Sequence, residues 1–180
     1  MWALTRAVFP LDECAYGQDD DGRRFIQAAS DYTKAQRALV EPIKARFGDA
    51  GLDGLRLRFP TQAEAQSRLQ SAGFRDFIEV DALAITVHGD DASARAPDPS
   101  GRAATLKRVS GVWKLAFDTD GFAADRGWSR DKLRLTTAAY AKTARDLETL
   151  GKDIAVGKFK TVDEAVAAGQ NIERQVYPNW

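Results

Sequence analysis

Between Asp19 and Phe47 the apolar side chains Phe25, Ala29, Tyr32, Leu39, Ile43 and Phe47 recur at spacings of three, four and seven, the period of one helix face. Asp19, Asp20 and Asp21 stand where a helix dipole favours acids, and Gly48 supplies a C-terminal stop. Pro42 lies inside this stretch and predicts a kink over 38–41. Thr61 and Glu64 have the spacing of a capping box, opening a short second helix that closes at Leu69 and Gly73. The glycines Gly48, Gly51 and Gly54 read as a linker between the two helices.

From Phe74 to Asp118 the period falls to two, with Leu83, Ile85 and Val87 alternating against Ala84, Thr86 and His88. Gly89-Asp90-Asp91 is a turn signal, and Ala92 to Arg95 begins a return strand. Residues 96–101, with Pro97, Pro99 and Gly101, form a loop. Ala104 to Val109 and Val112 to Phe117 flank Ser110-Gly111, a two-residue hairpin connection that opposes Val109 to Val112. Counting outward pairs Arg108 with Trp113, Leu106 with Leu115 and Ala104 with Phe117 on one face. The alternate face opposes Lys107 to Lys114, tolerable only in water, so the face carrying Trp113, Leu115 and Phe117 is expected to be buried beneath the first helix. Arg108 is expected over the Trp113 indole as a cation–π contact.

After a loop containing Gly121 and Gly127, Leu133, Tyr140, Leu147 and Ile154, interleaved with Leu150, mark a long helix from near Ser129 to Gly157. Thr161 and Glu164 repeat the capping-box spacing and open a last helix carrying Val162, Ala165, Val166, Ile172 and Val176. The pattern is therefore α+β: a long N-terminal helix and a short second helix packed on a curved antiparallel sheet, followed by a C-terminal helical hairpin. It reads as a single domain over 1–180, with a core at 19–125 and the helix pair at 129–177.

Charge changes this picture little. Lys plus Arg number 26 and so do Asp plus Glu, which removes the overall field that would draw the chain to nucleic acid or an anionic membrane. No apolar run reaches the roughly 18 to 20 residues of a membrane span. The segment Met1 to Pro10 does not have the form of a secretory leader, so a cytoplasmic location is the default, with export expected only if a leader has been removed. The lone Cys14 excludes an intramolecular disulfide.

The segments Val87-His88-Gly89-Asp90-Asp91-Ala92 and Leu106-Lys107-Arg108-Val109-Ser110-Gly111-Val112-Trp113-Lys114-Leu115 resemble the NTF2-like (cystatin-like, SnoaL-like) superfamily. There a strand, a Gly-Asp turn and a strand precede a hairpin whose second arm reads G-x-W-K-hydrophobic. The resemblance spans about 19–118 and implies a curved sheet wrapped on the first helix as a cone that can enclose a small molecule. Such proteins include isomerases, dehydratases, binding modules and dimerisation modules, and they generally finish on strands, unlike the helix pair here.

Catalytic chemistry is thinly represented. His88, Asp90 and Asp91 share one tight turn and cannot converge on a metal alone, so no metal or other cofactor is expected. Asp118-Thr119-Asp120-Gly121 and Asp19-Asp20-Asp21-Gly22 lack the glycine and glutamate of a calcium loop. One histidine leaves little scope for nucleophilic hydrolysis. Acid/base chemistry would need a pocket carboxylate, for which Tyr32 with Asp76 or Asp81 is the nominated combination. The segment 126–160 holds nine Lys or Arg against four Asp or Glu, spread as a solvated face. Trp2 and Trp180 are candidates for packing or an interface. The favoured expectation is a non-catalytic module binding a small apolar ligand or a protein partner, with Tyr32, Arg108 and Trp113 as ligand-binding residues. The alternatives are a lyase or isomerase using Tyr32, and a structural assembly module built on the helix pair. A homodimer is compatible with each.

Overall fold

The computed structural model describes residues 11–55, 84–95 and 104–176, with no account of the Cys14 side chain. The expected helix at 61–73, Leu83, the loop at 96–101, Asp76, Asp81, Trp2 and Trp180 lie outside the described residues. The fold is α+β. Its elements are α1 (Leu11–Cys14), β1 (Ala15–Gly17), α2 (Asp20–Ala38), α3 (Val40–Gly54), β2 (Ala84–His88), β3 (Asp91–Arg95), β4 (Ala104–Val109), β5 (Val112–Phe117), α4 (Thr119–Ala124), α5 (Arg130–Ala155) and α6 (Val162–Glu173). They gather into two compact units, one holding the chain to Ile26 with the strands through Phe122, the other holding Gln27 onward and Ala123 onward.

In the first unit the strands follow the order β1-β5-β4-β3-β2. Ser110 (φ 52°) and Gly111 (φ 82°) make the two-residue turn between β4 and β5, and the register is the one that turn imposes: Val109 opposite Val112, Arg108 opposite Trp113, Leu106 opposite Leu115. β3 continues the antiparallel set, with Ala92 opposite Leu106 and Ala94 opposite Ala104. β1 pairs in parallel with β5, so the sheet is mixed rather than wholly antiparallel. A strand of three residues is too short to show a period, which is why β1 escapes a sequence reading.

Burial on the apolar face is graded. Phe117 is 0% exposed, with its ring stacked on Phe25 at 5.4 Å and tilted against Phe122 at 4.9 Å. Ala15, Ala92 and Ala94 are buried beside that end, and Leu115 is half-buried. Trp113 is 38% exposed, which corrects the expectation that it lies beneath the first helix. The aromatic cover comes from the first turns of α2 and from α4, and it caps the Phe117 end of β5, whereas Trp113 sits next to the hairpin tip. Among the described residues no cation rests on the indole. Lys107 instead lies 5.9 Å from the Tyr16 ring centre, while Lys114 donates to the Asp12 carbonyl, so different acceptors draw the two opposed lysines apart.

Both aspartate-rich segments serve as helix starts. Asp19 Oδ1 accepts from the Gly22 amide at 2.7 Å and from Thr119 Oγ1 at 2.8 Å, and Asp118 Oδ1 accepts from the Gly121 amide at 3.0 Å. The bonds from the Gly22 and Gly121 amides satisfy first-turn N–H groups that have no intrahelical acceptor, and the Thr119 hydroxyl ties the start of α4 to that of α2. Thr119 to Ala124, expected as loop, is therefore the capped helix α4.

In the second unit the expected single helix breaks at Leu39, within the span where Pro42 predicts a kink. Pro42 falls in the first turn of α3, where a missing N–H costs little. Gly48 (φ 62°) interrupts α3, but the helix resumes to Gly54, so the linker reading of this stretch is overturned. α5 starts at Ser129, whose side chain accepts from the Lys132 amide, and it buries Leu133, Tyr140, Thr143, Ala144, Leu147, Leu150 and Ile154. α6 opens with the Thr161–Glu164 capping box and buries Ala165, Gly169 and Glu173, one position per turn. At Gly169 a Cβ would fall 2.2 Å from Leu55 Cδ2, so hydrogen at this position permits the close approach of α3. The helical hairpin at the C-terminus is thus present and is knitted to α3. Arg46 adds donations from Nε and Nη2 to the Phe159 carbonyl at 3.1 and 3.0 Å.

A polar clasp closes α5 against the end of α6. Lys142 Nζ donates to Asp146 Oδ2 and to Gln175 Oε1, both at 2.7 Å, and Gln175 Nε2 donates to Asp146 Oδ2 at 3.1 Å. The Lys142 bond chiefly holds the Asp146 carboxyl below its ordinary range, against an opposing effect of burial. A depressed folded value means the contribution is complete above the unfolded value and lost as pH falls through the folded one. Wild-type melting temperature should therefore drop slightly more than that of Asp146→Asn as acid is added below the carboxylate range. Parallel curves for the two proteins would show that the clasp has no linkage to folding.

Candidate functional site

Three helices of the second unit leave a volume unfilled. The C-terminal turns of α2 bring Ala35, Ala38 and, at the junction with α3, Leu39; α3 brings Pro42; α5 brings Leu147, Glu148, Gly151, Lys152 and Ala155. These residues line an open groove of about 390 Å³. Its origin is side-chain size. Leu39 and Leu147 are buried as a floor, while Ala35, Ala38, Gly151 and Ala155 are too small to fill the space between the helix backbones. At Gly151 a Cβ would already lie 3.1 Å from Leu39 Cδ2, so growth here would intrude on the floor. Glu148 and Lys152, exposed and one turn apart, place one charge of each sign at the rim.

Next to this groove along α2 is a buried polar cluster. Tyr32 OH donates to Glu173 Oε2; Gln36 Nε2 lies 2.8 Å from Tyr32 OH and 3.0 Å from Glu173 Oε1. The Tyr32 ring lies 5.3 Å from that of Tyr140. Both carboxylate oxygens of Glu173 thus have donors, which is what a buried acid requires. Tyr32 is one of the nominated ligand-binding residues, and the structure gives its hydroxyl this partner within the helical unit. The carboxylate beside it is Glu173 rather than Asp76 or Asp81. The sequence signal was the spacing Ala165, Gly169, Glu173, which puts an acid on the buried stripe of α6.

Arg108 and Trp113, the other nominated residues, are paired across β4 and β5 in the first unit, and both are exposed. None of the three nominated residues lines the groove. His88 and Asp91 oppose each other at the end of the β2–β3 hairpin. Among the described residues no three His, Cys, Asp or Glu side chains converge as a metal cage, and no helix is long and apolar enough to cross a membrane. The basic face around α5 is exposed, with near-neighbour ion pairs Arg134–Asp131, Lys142–Asp146 and Lys158–Asp153.

Comparison with family models, curated proteins and solved structures found no match to this chain.

Proposed function

We propose that this protein is a non-catalytic binding module whose helical unit takes the apolar part of a small ligand in the groove lined by Ala35, Ala38, Pro42, Gly151 and Ala155. The groove itself is the supporting observation. Its volume, about 390 Å³, falls in the range of small-molecule sites, and its small-residue lining offers apolar area while Glu148 and Lys152 are placed to orient a polar end. The acid/base alternative has a candidate carboxylate in Glu173, but both oxygens of that group already accept hydrogen bonds and it is not among the groove residues. A general base needs a free oxygen within reach of substrate. Binding is accordingly the reading with more support.

The probe is an apolar fluorophore with an anionic end, anilinonaphthalene sulfonate, titrated into wild type and Gly151→Leu. Filling the groove should weaken binding at least about tenfold, roughly 1.4 kcal/mol. Lys152→Ala should weaken the same probe without altering the fold. Unchanged titration in Gly151→Leu, with circular dichroism intact, would remove the groove as the site.

A further inference from the structure

We infer that β2 is a pairing edge through which two copies of this chain join their sheets. Among the described residues β2 has a neighbour on one side only, and all five of its residues are exposed, Ile85 by 52% and Val87 by 55%. The hydrogen-bonding direction of each residue follows from the ladders. The Arg108 amide donates to the Asp90 carbonyl at 2.7 Å, and bonded pairs alternate along an antiparallel ladder, so Ala92 and Ala94 turn their backbone groups toward β4. Asp91, Ser93 and Arg95 then turn toward β2, where they meet His88, Thr86 and Ala84. The two-residue Gly89-Asp90 turn, with Gly89 at φ 63°, requires the same bonded pair of His88 and Asp91. What remains is Ile85 and Val87. Their N–H and C=O groups face the edge that no described strand occupies.

The edge is self-complementary. A twofold axis through Thr86 sets Ile85 of one copy opposite Val87 of the other, twice, and each such pair exchanges two hydrogen bonds. Paired residues share a face, so the two exposed apolar side chains of each copy come together on the apolar side of a continuous sheet. Along the rows at either end, Asp91 and His88 of one copy align with Ala84 and Arg95 of the other, so acid is set toward base and no like charges are opposed. Ala84-Ile85-Thr86-Val87-His88 also lacks the lysine, proline or bulge with which solitary edges are commonly blunted. A second copy satisfies the backbone groups, the apolar pattern and the charge order together.

Light scattering across a micromolar concentration series should show a monomer–dimer equilibrium. Val87→Pro should be monomeric with an unchanged circular dichroism spectrum, because it deletes an N–H that β3 does not use. Ile85→Lys, which keeps every backbone donor, should also be monomeric and decides the matter if the proline variant misfolds. Amide exchange at Ile85 and Val87 should slow as concentration rises. A wild type that stays monomeric throughout overturns the inference, as does a dimer that survives Ile85→Lys or one that is lost in Gly151→Leu and kept in the β2 variants.

Discussion

Phe117→Ala is expected to lower stability by about 3 to 5 kcal/mol, whereas Trp113→Ala, four residues earlier on the same face of β5, should cost under about 1 kcal/mol. Residue size alone would order these the other way. Phe117 has no exposed surface and its ring meets both Phe25 and Phe122, which themselves lie 4.9 Å apart. Truncation removes contacts on two sides, and the cavity left behind is bounded by rings on elements held by their own caps, so collapse around it is limited. Trp113 is 38% exposed near the hairpin tip, where its removal leaves water rather than a void. Urea denaturation of the two variants measures the difference. Equal losses would mean that the hairpin tip is covered as deeply as its base.

The same contrast shows what alternation in a sequence can reveal. It identifies the face of a strand that meets the core, and the two-residue turn then fixes the register without any knowledge of the tertiary fold. It contains no information on how far along the strand the cover extends. That depends on where α2 and α4 meet the sheet, which is a non-local fact. Helix ends were legible for a related reason: Ser129 and Thr161 bond within their own first turns, so their signatures are complete within a few residues. β1 was not legible, because a three-residue strand is specified by its partner β5 rather than by its own pattern.

The groove sits at the far end of this scale. Ala35, Ala38, Gly151 and Ala155 are ordinary helix residues when read singly, and only the juxtaposition of α2, α3 and α5 makes their small size into a volume. The register places Arg108 opposite Trp113, yet register states which residues are opposed and not whether the space above them is enclosed. Tyr32 falls on the buried stripe of α2. Its burial is as expected from that stripe, and its partner, 141 residues away, could not be read from spacing.

That distant pairing should be measurable as a coupling. Glu173→Leu is expected to cost about 3 kcal/mol, since it strips acceptors from the buried Tyr32 hydroxyl and from Gln36. Tyr32→Phe should cost about 2 kcal/mol, because it leaves a buried carboxylate oxygen without its donor. The combination Tyr32→Phe with Glu173→Leu should cost clearly less than these single changes summed. With both polar groups gone, neither is left to be buried without a partner, and an apolar side chain at 173 continues the stripe of Ala165 and Gly169. A double-mutant cycle by chemical denaturation reads this directly. Additive losses would mean that the bond contributes nothing to holding α6 on α2, and that Glu173 reaches water in the folded protein. An acid so released would also reopen the acid/base reading, so the cycle separates a structural carboxylate from a chemical one.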